Sequence, residues 1–304
     1  MRIRILAESE KYVRDEVYLS RTLSELEKHH DVFIDDLSQK RRVASSIDAT
    51  LSMVRVRNLL KYADRIGQDP VIVNDYDPWC SLAVSQPYTG LYENIWRRLS
   101  VQSFLVSSYE WCKISREMGY PTAWYRIGAA KSDCSHGGKL WDDRTVELEF
   151  RGSRHDFRIK AFERLAEAGL TVPWPLTKVP LKDFGSYLNT VRVWAHDESQ
   201  KFHTIQGKQV ESNWLWPKTC EVLARGCFVI RDAQSEMRHY DLVGIPTLIT
   251  YDGIENAAET YRSVVNMSTK EKDERIEYAV QLMSQIDPYA DFATRFEHII
   301  KDTR

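Results

Sequence analysis

Residues 213–232, NWLWPKTCEVLARGCFVIRD, constrain the fold more than any other stretch of the chain. Trp216, Leu223 and Ala224 recur at helical spacing, Gly226 stands where a helix ends in a left-handed conformation, and 227–230 is an unbroken apolar run. A short strand without polar alternation must be buried on both faces, as in a parallel sheet covered by helices. The segment therefore predicts an α/β protein. It also places Glu221 near a helix end beside the carboxyl ends of the strands, where open parallel sheets bind nucleotides. Glu221 is then either a ligand for ribose hydroxyls or a solvated helix glutamate.

The same alternation runs through the rest of the chain. Strands are expected at 2–7, 32–37, 71–74, 103–107 and 123–127, with helices at 15–29, 47–63 (one helix or a pair), 91–99 and 109–118. Apolar periodicity then lapses into Lys131, Ser132, Asp133, Ser135, Gly137 and Gly138, which reads as a linker at 131–145 after a first domain of 1–130. A second domain, 146–285, carries expected strands at 146–150, 170–172, 191–194, 227–230 and 247–250. Its expected helices lie at 157–168, 181–189 and from 254 onward. Two α/β domains, each Rossmann-like, with a ligand cleft between them, are the expected architecture.

Composition narrows the class. At 304 residues with 43% hydrophobic and 28% charged content, the chain suits two ordinary globular domains. No apolar run approaches the ~20 residues of a membrane span. The start, MRIRILAESE, is too short in apolar residues for a signal-peptide core and reads as a first strand, so a cytoplasmic location is expected. Cys80, Cys112, Cys134, Cys220 and Cys227 are odd in number and scattered, without a Cys-x-x-Cys pair or a histidine at ligand spacing, so neither a disulfide framework nor a zinc site is expected. A net charge of −2 provides no global field for nucleic acid. The basic runs 39–42, 55–61 and 97–98 leave a local patch open.

Four loops follow expected strands and carry chemistry. In 151–154, Gly152 would allow close approach of a phosphate, with Ser153, Arg154 and Arg158 available to hold a diphosphate at a helix start; alternatively the arginines are simply solvated. His196 and Asp197 follow the strand at 191–194, and the histidine either bonds a sugar or phosphate oxygen or pairs with its neighbour. Before the Glu221 helix lie Asn213, Trp214, Trp216 and a proline suited to a first helical turn, with Lys218 as a further cation or a solvent-facing lysine. In the first domain, 74–79 (NDYDPW) places Asp75 and Asp77 where a carboxylate would deprotonate or hydrogen-bond an acceptor hydroxyl, or merely form an Asp-Pro turn. The loop 7–10 also follows a strand but lacks glycines, and is the lesser candidate.

The order of strand, Arg-Gly-Ser, arginine-rich helix and K-x-x-EVLARGCFVIRD resembles the C-terminal half of GT-B fold glycosyltransferases. Within them it is most similar to the spore-maturation-protein-like branch, related to the large group-1 retaining family. The resemblance covers roughly 146–250; the first half matches only in outline, through SFLVSSYEWCKISREMGYPTAWYRIGA. It implies GT-B architecture, with an acceptor-binding first domain, a nucleotide-sugar-binding second domain and 286–304 as a helix returning toward the first. In that family a glutamate in an E-A-[LM]-A-x-G context contacts the donor ribose, and Glu221 matches it. The acid eight positions earlier is replaced here by Asn213, so the E-x7-E motif is incomplete. The implied activity is transfer of a sugar, UDP-linked by first choice, to a hydroxyl acceptor with retention and without a metal ion or other cofactor. Implied site residues are Asp75, Asp77 and His196 for catalysis, with Gly152, Ser153, Arg154, Arg158, Asn213, Lys218 and Glu221 for the donor. A glycan, a small molecule or hydroxymethylated DNA would serve as acceptor. Alternatives within the fold are a sugar-nucleotide epimerase and a non-catalytic nucleotide-sugar-binding protein.

Overall fold

A computed structural model describes residues 1–39, 46–83, 88–154, 156–196, 202–205, 207–211, 217–233 and 235–302. The chain forms two compact units, and it passes from one to the other four times. Unit 1 comprises Met1–Arg126, Phe202–Ser212 and Pro288–Arg304; unit 2 comprises Ile127–Lys201 and Asn213–Asp287.

Unit 1 is built on six parallel strands: β1 (Arg2–Ala7), β2 (Asp31–Asp36), β3 (Ala49–Ser52), β4 (Val71–Asp75), β5 (Val101–Val106) and β6 (Thr122–Trp124). They lie in the order β2-β1-β3-β4-β5-β6, so the direction of winding reverses between β1 and β3. The connecting helices are α1 (Glu10–Asp15), α2 (Val17–Glu27), α3 (Val56–Leu59), α4 (Ala63–Ile66), α5 (Trp79–Leu82), α6 (Leu91–Arg98) and α7 (Tyr109–Glu117). Strand alternation distributes the core to both faces. Val71, Val73, Phe104 and Val106 enter one cluster, while Ile3, Ile5, Ile72 and Leu105 enter the other. The C-terminal helix, α13 (Pro288–Asp302), inserts Phe292, Phe296 and Ile300 into the second cluster.

Two expectations fail in this unit. The helix expected over 47–63 is interrupted by β3, because Ile47, Ala49, Leu51 and Met53 alternate with period two and Ala49–Ser52 is buried throughout. The helix expected over 15–29 is split at Glu16, which leaves helical geometry (φ −80, ψ 122) and caps α2 by accepting from the Leu19 N–H at 2.8 Å.

Unit 2 carries four parallel strands in the order β12-β11-β8-β7: β7 (Val146–Glu149), β8 (Val191–His196), β11 (Phe228–Asp232) and β12 (Leu248–Tyr251). Its helices are α8 (Asp156–Glu167), α9 (Leu181–Leu188), α10 (Pro217–Ala224), α11 (Ala257–Asn266) and α12 (Thr269–Met283). The strand expected at 170–172 does not form. One backbone bond reaches β7, from the Phe150 N–H to the Pro173 carbonyl at 3.0 Å, and Pro173 and Pro175 supply no N–H groups to extend a ladder. The expected linker at 131–145 belongs to unit 2 and is anchored. Trp141 is buried edge-on against Phe228, and the guanidinium of buried Arg144 donates to the carbonyls of Val191 and Arg225, both at 2.8 Å. Its polar composition concealed two large buried side chains.

Between β8 and α10 the chain makes an antiparallel hairpin, β9 (Phe202–Ile205) and β10 (Lys208–Glu211), that belongs to unit 1, where Ile205 joins the core cluster of β4 and β5. Among the described residues, no helix is long and apolar enough to cross a membrane.

Candidate functional site

In unit 2 the chemistry gathers at the carboxyl ends of β7, β8 and β11. Strand β7 is followed by Phe150, whose buried ring packs against Phe162, Trp174 and Trp194 at centroid distances of 4.9, 5.4 and 5.6 Å. The loop that follows lies directly on this aromatic floor. A Cβ at Gly152 would stand 2.8 Å from the Phe150 ring and 3.3 Å from Arg158 Nη1, so close approach, not backbone conformation, requires glycine. Arg158, in the first turns of α8, is buried with its guanidinium 5.2 Å from the Phe150 ring and donates to the Ser153 carbonyl at 2.8 Å. Trp174 Nε1 donates to the Gly152 carbonyl at 3.0 Å. Exposed Arg154 lies over the Trp174 ring at 5.1 Å and donates to its carbonyl. Arg151 is spent on structure: it binds Glu149 at 2.8 Å, the Tyr187 hydroxyl at 2.8 Å and the Thr177 carbonyl.

Helix α10 starts at buried Pro217, and Lys218 and Glu221 are one turn apart on the same side. Lys218 is half-buried with its ammonium 4.4 Å from the Phe184 ring of α9. Burial lowers its pKa, the Glu221 carboxylate works against that, and the Arg158 guanidinium reinforces it. Lys218 is therefore within electrostatic reach of both Glu221 and Arg158, although Arg158 lies 60 residues earlier in the chain. The loop after β7 and the Glu221 helix both belong to unit 2, and Lys218 senses the charge of Arg158 at the start of α8. His196 is the last residue of β8, in register with Arg231 of β11. Asn213 and Asp197 lie outside the described residues. Arg231, which sequence reasoning passed over as a strand end, is buried beneath α10 and donates to the Thr219 hydroxyl at 2.8 Å.

In unit 1 the loops after β1, β3 and β4 form the corresponding rim. Asp75 is buried, and its carboxylate accepts from the Asp77 N–H at 3.0 Å and the Tyr92 hydroxyl at 2.8 Å. Burial pushes its pKa up to about 7 against the pull of both hydrogen bonds. Asp77, two residues on, is exposed; the surrounding protein raises its pKa while the Arg57 guanidinium opposes, and open access to water makes that push weaker than at Asp75. The two carboxylates therefore do different work: Asp75 fixes the turn, and Asp77 is presented to solvent. At the reversal between β1 and β3, Glu8 is clasped by Arg55 (2.8 Å at Nε, 2.5 Å at Nη2) and by Asn58 (3.0 Å), which hold its carboxyl down at about 2.

The basic runs do not form an unopposed stripe. Arg55 is tied to Glu8, Lys61 to Asn58, Arg97 to Glu93 and Arg98 to Asp64, while 40–42 lie outside the described residues. Among the described residues, no group of three or more His, Cys, Asp or Glu side chains is arranged to hold a metal ion.

No protein-family model matches the chain, and no curated protein matches its sequence. Solved structures do match. The chain aligns with the Anabaena protein HepE, solved in complex with UDP and glucose, over 99% of both chains at 12% identity and a TM-score of 0.63. Sucrose-phosphate synthase from Thermosynechococcus elongatus aligns over 100% of this chain and 99% of its own at 10% identity and a TM-score of 0.58. A trehalose-6-phosphate synthase studied for glycosyl transfer with retention aligns over 99% of both chains at 9% identity and a TM-score of 0.57. At such identities the likeness is one of fold: the chain has the GT-B fold, with two Rossmann-like units.

Proposed function

We propose that the protein is a glycosyltransferase that moves a sugar from a UDP-sugar to a hydroxyl acceptor. The observation that carries this reading is the electrostatic coupling of Lys218 to Arg158 and to Glu221 in unit 2, in a fold shared with a protein solved with UDP and glucose. In this reading Glu221 receives the ribose hydroxyls. The diphosphate lies against the 152–154 loop and the start of α10, where Lys218 and Arg154 face it and Arg158 adds positive charge from below. Departure of the nucleoside diphosphate places growing negative charge on the β-phosphate, and these fixed cations stabilise it without reorganising. No metal ion has a part in this scheme. His196, the residue that closes β8, is the candidate assigned to the transferred sugar.

The acceptor hydroxyl belongs to unit 1, with exposed Asp77 as its carboxylate partner and Asp75 holding the turn that presents it. Retention of anomeric configuration is supported by the fold shared with a trehalose-6-phosphate synthase studied for that outcome. Pairing of Arg55, Arg97 and Arg98 with carboxylates favours a glycan or small molecule over DNA as acceptor. All five cysteines are free thiols, which suits a reducing, cytoplasmic location.

A thermal-shift screen against UDP-, GDP-, ADP- and CMP-sugars tests the donor, because a ligand that binds only the folded state raises the melting temperature. UDP-sugars should give the largest shift and Glu221→Ala should abolish most of it. Acceptor-dependent release of UDP should then appear, with turnover reduced about 100-fold in Lys218→Met. A donor bound but never consumed with any acceptor would leave a binding protein instead.

A further inference from the structure

Arg231 is out of place for an arginine at the end of a parallel strand. It is fully buried, at 0% exposure. Nη1 donates to the Thr219 hydroxyl at 2.8 Å, Nη2 lies 3.6 Å from the Asp232 carboxylate, and among the described residues neither Nε nor Nη2 has a hydrogen-bond acceptor. Burying a guanidinium is costly, and chains keep one only where its donors are matched. Arg144, equally buried in the same unit, donates to four backbone carbonyls. Arg231 has one hydroxyl and one offset carboxylate.

Its location explains the imbalance. Thr219 is the third residue of α10 and is itself buried, so Arg231 lies directly beneath the first turn of that helix. Its charge also acts on the neighbouring Cys220 thiol, with a sign opposite to that of Glu221. Thr219 is preceded by Lys218 and followed two residues later by Glu221, the residues assigned above to the donor. A buried charge is little screened by salt or water, so its field reaches an anion at the helix start with more effect than a surface arginine at the same distance.

We infer that Arg231 is a positioning residue for the diphosphate of the donor. It fixes the first turn of α10 through Thr219, and its positive charge, only partly balanced by the offset Asp232 carboxylate, is completed by the diphosphate. This role rests on the proposed donor site and deepens it: the site is tuned for the diphosphate, not for the nucleoside.

The test compares UDP, by calorimetry, with uridine, by ligand-observed NMR titration, on the full chain. Arg231→Met should weaken UDP about tenfold or more and leave uridine within twofold, while Arg231→Lys recovers most of the loss. Thr219→Val, which keeps the charge and frees the helix turn, should lower the preference for UDP over uridine about threefold, and it carries the test if Arg231→Met does not fold. Equal losses for UDP and uridine would show a merely structural arginine and overturn the inference, as would an unchanged preference in both Arg231→Met and Thr219→Val. A wild-type protein that binds no UDP would remove the proposed function itself, and this role with it.

Discussion

Asp75 shows how one side chain couples the loop after β4 to pH. Its ordinary value is 3.8 and burial raises it to about 7, so between those values the folded protein holds a proton that the unfolded chain has released. Stability contributed by this group is therefore full below about pH 4, falls as pH rises to about 7 and stays low above it. The difference is worth about 4 kcal/mol at most, from roughly three pH units at 1.36 kcal/mol each. Asp75→Asn retains an acceptor for the Asp77 N–H and offers a donor to the Tyr92 hydroxyl. Denaturant melts of this variant should show a flatter pH dependence between pH 4 and 7 and higher stability than wild type at pH 8. An unchanged profile would place the titration elsewhere. At this scale the sequence showed residue types but not their duties. Asp75 and Asp77 look equivalent in NDYDPW, and only the end of β4, which turns one inward and leaves the other exposed, separates them. Arg231 was equally hidden, because a charged residue closing an apolar run ordinarily marks the point where a strand meets water.

Elements whose apolar pattern was continuous were legible: β1, β4, α7, α8 and β11 fall within two residues of expectation. Those that failed had identifiable causes. Strand β3 is four residues long, and its period-two pattern was absorbed into the helical segment after it. At 170–172 the apolar residues suggested a strand that Pro173 and Pro175 prevent. The hairpin β9–β10 was missed altogether, although its two strands are joined through a two-residue loop ending in Gly207 at φ +77, a recognisable turn signal. That hairpin has a measurable consequence. Ile205 is 5% exposed within the unit 1 core, so Ile205→Ala should cost about 3 kcal/mol in an equilibrium melt. A change of no more than about 0.5 kcal/mol would mean that the segment lies on the surface.

For the whole molecule, the two-unit α/β architecture was readable because each half repeats strand and helix in an order that parallel sheets demand. The boundaries were not. Residues 131–145 read as a linker because they lack periodicity, yet Trp141 and Arg144 bind them into unit 2, and no local pattern announces that 202–212 belongs with unit 1. The proposed donor site draws on two continuous sequence signals, the 213–232 segment and the loop after β7, whereas the proposed acceptor side has none, its candidate residues being spread over separate loops of unit 1. The account rests on one claim, that Arg158, Lys218 and Glu221 surround a single nucleoside diphosphate. A crystal structure of the protein with UDP tests it most directly. The diphosphate is predicted to lie about 3 Å from the Lys218 ammonium and against the 152–154 loop, with the ribose hydroxyls donating to Glu221. UDP seated away from α10, or with Glu221 turned from the ribose, would contradict it.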